Sequence, residues 1–283
     1  MNFVRIASVP YVNAEPLTWG FTAGPYRTLF EVVKAPPSAI PGLLASGQVD
    51  AGLIPSIEYL RLADAEALPY LCIAAKRRAR SVLLLSKGPV DAIKSVALDS
   101  SSRTSAALLK ILLRQRGLRD VVYAEQAPSP RAMLRDHDAA LIIGDPALTA
   151  DTDGLVVTDL GAEWADRTGL PFVFALWAAR RDADLPDGVR PFLESRQMGV
   201  ANIPRIAREA AARLRLPADR IESYLRTHIH YHLGSEEARG LELFLRLAQE
   251  SGIATGHRRI AFREPPAGPH VTAAVPPARI AHE

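Results

Sequence analysis

Five hydroxyl side chains and one arginine fall within the seven residues Asp99 to Ser105, DSSSRTS. The run follows the strand-like SVAL and precedes SAALLKILLRQRG, where Leu108, Ile111 and Leu112 recur at helical spacing and Gly117 can end the helix. A strand-to-helix turn of this kind leaves free backbone N–H groups at the positive end of a helix dipole, which suits an anion and above all a carboxylate. Ser101 or Ser102 is expected to cap the helix. The hydroxyls of Ser101, Ser102, Thr104 and Ser105 add donors, and Arg103 either turns inward to grip a carboxylate through two N–H groups or turns outward to solvent.

A second set of polar residues sits at the ends of other strand-like runs. Tyr11 and Asn13 follow one in SVPYVNAEPL. The Asn13 amide both donates and accepts, so it either orients a hydroxyl or carboxyl group or caps the next helix. Ser56 ends the run VDAGLIPS in the same way. Gly144 and Asp145 close AALII: Gly144 permits close backbone approach, and Asp145 is the best-placed titratable group for proton transfer. Asp145 before Pro146 also has the form of a helix cap with proline in the first turn. His228 and His232 are spaced to share a helix face, but no acidic or cysteine partner stands at ligand spacing, so no metal is expected. Phosphate-loop, dinucleotide, zinc-protease and nucleophile-elbow motifs are absent from the chain.

The elements that must carry these residues form an internal repeat. VRIASVPYVNAEPL and SVALDSSSRTSAALL each run from a strand through a polar turn into a helix. FEVVKAPPSAIPGLLASGQVDAGLIPS then parallels VVYAEQAPSPRAMLRDHDAALIIGD: strand, Ala-Pro turn, short helix, and a strand built on Asp-Ala-x-Leu-Ile. Two copies predict two α/β lobes with largely parallel sheets, whose strand ends face each other across a ligand cleft. The apolar runs Ser81–Lys87 and Leu170–Arg180 have the length to cross between lobes. We therefore expect lobe I at 1–85 and 180–283 and lobe II at 86–179, with hinge-like closure. Residues from Val189 to about Ser251 read as helices packed on lobe I, and the Pro-rich tail from about Thr255 as largely mobile.

Composition narrows the class. Hydrophobic residues make up 48% of 283 and charged residues 23%, as in an ordinary globular protein. A net charge of +3 with 6% aromatics, and one short basic cluster (Lys76, Arg77, Arg78, Arg80), does not resemble a nucleic-acid surface. Cys72 stands alone, which rules out an intrachain disulfide and fits a reducing compartment. Pro10, Asn13 and Glu15 interrupt any secretion signal, and no run is long enough for a membrane helix, so a cytoplasmic location without membrane partners is expected.

Together, VPYVNAEPL, GQVDAGLIPSIEYL, DSSSRTS, ALIIGDPAL and LGAEWADRTGLPFVFALWA resemble the chorismate dehydratase family of the futalosine route to menaquinone, over Arg5 to about Leu247. The resemblance implies a periplasmic-binding-protein-like type II fold used as a cytoplasmic lyase. Its substrate would be chorismate, converted to 3-[(1-carboxyvinyl)oxy]benzoate and water without a cofactor. On that reading Ser102, Thr104 and Ser105, helped by Ser101, Arg103 and Gly144, hold a carboxylate and the charge that develops on it. Asn13 fixes the leaving hydroxyl or the enolpyruvyl group, with Tyr11, Ser56 and Ser81 nearby. The base is Asp145 or the substrate's own enolpyruvyl carboxylate, and a ring from Trp177 or Phe172 either packs on substrate or stays in the core. A solute-binding protein for a small carboxylate and the sister 1,4-dihydroxy-6-naphthoate synthase are the competing readings; the oligomeric state, monomer or homodimer, stays open.

Overall fold

Runs of apolar residues too short for helices and bounded by polar turns become buried strands, and the pairing of those strands divides the chain. The computed structural model describes residues 3–256 and 258–264. The first copy of the repeat is β1 (Val4–Ser8), α1 (Glu15–Thr22), β2 (Phe30–Lys34), α2 (Ile40–Ala45) and β3 (Ala51–Pro55), followed by β4 (Ala65–Ala75). Next come β5 (Val82–Ser86) and the second copy: β6 (Ser95–Asp99), α3 (Arg103–Gln115), β7 (Val122–Gln126), α4 (Pro130–Asp136) and β8 (Ala139–Ile143). Then follow α5 (Gly144–Leu148), β9 (Val156–Asp159), α6 (Leu160–Thr168) and β10 (Phe172–Arg180). The remaining helices are α7 (Arg190–Ala201), α8 (Ile203–Leu214), α9 (Ala218–Ser223), which runs on into a π-turn at Tyr224–His228, and α10 (Ser235–Glu250).

The two sheets have the orders β2-β1-β3-β10-β4 and β7-β6-β8-β5-β9. In each, the repeat supplies three parallel strands, so β1, β2 and β3 correspond to β6, β7 and β8. The two-lobed α/β fold is as expected, and each mainly parallel sheet holds one strand that runs against the other four: β10 pairs antiparallel with β3 and β4, and β5 with β8 and β9. Those pairings also correct the expected lobe boundaries. β5 lies inside the second sheet and β10 inside the first, each exchanged into the sheet of the other half of the chain. Every residue of β5 is buried, as a strand with neighbours on both sides requires. The crossings are therefore the short peptides 76–81 and 169–171, ahead of the strands that had been expected to cross.

The C-terminal helices pack on both lobes rather than on lobe I alone. α7 lies along α1, whereas α10 touches both β10 and α3. The α1–α7 contact depends on small residues: Gly20 N–H donates to Ser195 Oγ at 2.9 Å, and Ser195 Oγ donates to Leu17 O at 2.8 Å. A Cβ on Gly199 would sit 1.9 Å from the Pro16 carbonyl oxygen, a backbone atom with no room to yield. Gly199→Ala is thus expected to destabilise the protein by about 3 kcal/mol in urea unfolding, at the upper end of ordinary overpacking. Within the tail, Ala67 and Phe262 pair as an isolated bridge, and Ala67 N–H donates to Ala261 O at 2.9 Å, so residues 258–264 dock beside β4. The rest of the Pro-rich segment, 265–283, lies outside the described residues.

Candidate functional site

The DSSSRTS turn is shaped by its own aspartate. Asp99 Oδ1 accepts from Ser101 N–H at 2.9 Å and from Ser101 Oγ at 2.7 Å, which folds the loop back and brings Ser102 to the cap position of α3. Neither serine caps the helix through its side chain. Ser102 Oγ is instead buried without a partner. The first N–H groups of a 13-residue helix, with Ser102, Thr104 and Ser105 around them, line one cavity. Such a helix start, left uncapped by any side chain, is an anion cradle.

The opposite wall comes from lobe I. Tyr11 precedes a single helical turn, Val12–Ala14, that places Asn13 in the cavity wall. Tyr11 Oη lies 3.3 Å from Ser101 Oγ across the cleft, Val12 N–H donates to Asp145 Oδ1 at 2.9 Å, and Ile57 N–H donates to Thr104 Oγ1 at 3.3 Å. These contacts describe a closed cleft. Gly144, with φ at +63°, lies flat against the Tyr11 ring, and its N–H donates to Ser81 O at 2.8 Å. Asn13 Oδ1 is buried with no partner. Ser81 is buried in the wall, donating weakly to Ala79 O at 3.4 Å and accepting from Tyr224 Oη at 2.7 Å. Apolar side chains complete the cavity, among them Val9, Ile73, Phe174 and Ile229. Burial pushes the Tyr11 phenol up, with the Asp99 and Asp145 charges adding to it against the Ser101 bond.

The structure thus gathers Tyr11, Asn13, Ser81, Ser101, Ser102, Thr104, Ser105 and Gly144 at one cavity with Arg103 at its rim, and it leaves Ser56 and Asp145 outside the lining. Ser56 is fully buried and its hydroxyl donates to Val173 O at 2.8 Å, so it ties two elements of lobe I together. Arg103 contributes to the rim, but its guanidinium points to Glu125 Oε1 at 3.4 Å on β7 and stays half exposed. Asp145 does not line the cavity. It does not cap α5: Oδ1 takes the Val12 N–H and Oδ2 takes Arg213 Nη1 at 3.2 Å. Burial raises its carboxyl above the usual range, against the Val12 bond and the Arg213 charge. Trp177 and Phe172 are core residues with no exposure. His228 and His232 share no helix face, since the π-turn ends at His228; the first donates from Nδ1 to Arg78 O at 3.2 Å and the second faces Arg196. Among the described residues no group of three or more His, Cys, Asp or Glu is placed to hold a metal.

Two cavity features were not foreseen. Phe174 reaches the cavity because β10 is irregular between Val173 and Ala175, leaving it unpaired with β4; a bulge of this kind re-aims one side chain and leaves no mark in composition. Tyr224, behind Ser81, comes from a helix remote in sequence from both repeats, and only its place next to the π-turn distinguishes it.

Residues 4–250 match the family model described as menaquinone biosynthesis. A chorismate dehydratase of Thermus thermophilus is 34% identical over 234 residues, covering 76% of this chain and 85% of the relative. A chorismate dehydratase of Campylobacter jejuni is 28% identical, covering 87% of this chain and 98% of the relative. The 1,4-dihydroxy-6-naphthoate synthase of Thermus thermophilus is also 28% identical but over 64% of this chain and 69% of its own. Among solved structures, the periplasmic aliphatic sulphonate-binding protein of Escherichia coli superposes with a TM-score of 0.67 at 21% identity over 98% of each chain, a likeness of fold.

Proposed function

Because the chain belongs to the menaquinone biosynthesis family, we propose that it is a cytoplasmic chorismate dehydratase, a lyase that eliminates water from chorismate to give 3-[(1-carboxyvinyl)oxy]benzoate. The observation that carries this reading is the pair of buried, unpartnered polar atoms in one cavity, the Ser102 hydroxyl at the start of α3, which can donate, and Asn13 Oδ1 on the facing lobe, which accepts. A buried polar atom without a partner costs about 1–3 kcal/mol, so a site that keeps two of them is complete only with a ligand bound. Chorismate supplies what they lack: a carboxylate for the helix start, and a hydroxyl that donates to Asn13.

The elimination begins with loss of the ring proton beside the enolpyruvyl ether. The electrons of that C–H bond pass through the diene into the ring carboxylate, and their return expels the neighbouring hydroxyl group, which leaves as water as the ring becomes aromatic. Held at the N-terminus of α3, the ring carboxylate receives charge where donors already point at it, the arrangement that lowers such barriers most. The cavity wall includes no Asp, Glu, His or Lys, and both Asp145 oxygens are engaged elsewhere. The enolpyruvyl carboxylate of the substrate is therefore assigned as the base, and the protein supplies the geometry. Asp145→Asn is expected to keep kcat within about threefold of the wild type, whereas loss of a true general base costs about 10²–10⁴; KM rises modestly as the Arg213 ion pair goes.

The deciding assay is incubation of the purified protein with chorismate while the aromatic product is followed by absorbance and chromatography. Formation of the benzoate establishes the activity. Tight binding of chorismate without turnover would make the protein a binder, and neither binding nor turnover would move the assignment to the sister synthase.

A further inference from the structure

Tyr224 is buried, and its hydroxyl donates to Ser81 Oγ at 2.7 Å. A phenol has one proton, and here it is committed to Ser81. Ser81, already accepting from Tyr224, has only a long contact of 3.4 Å from its own hydroxyl to Ala79 O, which leaves that O–H free to turn into the cavity, where Asn13 Oδ1 is buried without a partner. One phenol thus decides the direction of a cavity hydroxyl that no other side chain holds in that sense.

Resting on the chorismate reading, we infer that Tyr224 is a positioning residue that sets Ser81 as the donor toward the hydroxyl that leaves. The substrate hydroxyl donates to Asn13 Oδ1, and the Ser81 O–H supports the same oxygen as its bond to carbon breaks. Without the phenol group Ser81 loses its strongest bond, and its hydroxyl is free to turn away from the cavity. Tyr224 does not line the cavity and acts through Ser81, which does.

The experiment compares wild type, Tyr224→Phe, Ser81→Ala and the double variant. Tyr224→Phe keeps the ring and its packing and deletes one oxygen. We expect KM for chorismate to change by less than about twofold while kcat falls about tenfold or more, because the affected groups act on the leaving hydroxyl and not on the carboxylate cradle. The double variant should lose no more than Ser81→Ala alone, so the two effects are less than additive. A kcat unchanged in Tyr224→Phe, or strictly additive losses, overturns the inference while leaving the dehydratase reading in place. A wild type that does not turn over chorismate defeats that reading alone. The positioning role is then read without turnover from the Ser81 resonances in NMR spectra: a single ordered environment in wild type that shifts or broadens in Tyr224→Phe supports it, and identical spectra refute it.

Discussion

Asn13→Ala is expected to lower kcat by about 10²–10³, the usual cost of removing one group aimed at a charge or dipole that develops during reaction, while leaving the thermal midpoint unchanged or slightly raised. The two halves of that expectation share one cause. Asn13 Oδ1 is buried with nothing to bond, and holding such an atom dry costs about 1–3 kcal/mol in the free enzyme. Alanine removes the unsatisfied oxygen, and removes with it the acceptor that the substrate hydroxyl needs. Sites poised in this way commonly trade stability for activity. The packing lost with the rest of the Asn13 side chain offsets part of the gain, so a rise of more than a few degrees is not expected. Initial rates with saturating chorismate and a calorimetric melt on the same sample test both halves. A variant that unfolds early would show Asn13 to be a structural cap, and one that retains kcat within about threefold would remove it from the chemistry.

What could be read from residues alone divides along physical lines. The repeat was legible because each copy alternates apolar strands with polar turns, and strand ends in such sheets face a common cleft; the observed orders β2-β1-β3 and β7-β6-β8 repeat that pattern strand for strand. The helix-start cradle was legible because it is local, a strand, a polar turn and a periodic helix in one stretch. The features that escaped are those decided between distant segments. Ser56 was placed correctly at the end of β3, yet its hydroxyl is claimed by the Val173 carbonyl of β10, a strand that returns from the other half of the chain. Arg103 was open between two directions until Glu125 arrived beside it on the adjacent strand. Asp145 has the local form of a cap or a base, and closure of the lobes makes it a latch instead, joined to the Val12 N–H. Exchange of β5 and β10 between sheets likewise moves both crossings, because an apolar strand carries no label for the sheet it enters.

Gly144→Ala is expected to cost about 10²-fold in kcat/KM while losing only about 1–2 kcal/mol of stability, the cost of its left-handed backbone. Gly144 stands on lobe II with φ at +63°, and a Cβ there would lie 2.8 Å from the ring of Tyr11 on lobe I. Two penalties combine: the left-handed backbone costs a non-glycine residue about 1–2 kcal/mol, and the methyl group acts as a wedge at the point where the lobes meet. A wedge of that kind is relieved by opening the cleft, which breaks the Tyr11–Ser101 and Val12–Asp145 contacts but leaves both sheets intact. Each 1.4 kcal/mol by which closure is disfavoured reduces the population of the competent state about tenfold. Gly117→Ala separates the two penalties. Gly117 has φ at +85° after α3, and a Cβ there meets nothing within 4 Å, so that variant suffers the backbone strain without the wedge and should lose about 1 kcal/mol of stability at full activity. Small-angle scattering with saturating chorismate completes the test, since Gly144→Ala should stay more open than wild type where Gly117→Ala closes. Equal losses of kcat/KM in the two variants would assign the effect to backbone strain, and closure by Gly144→Ala to the wild-type dimension would show that the Tyr11 ring yields.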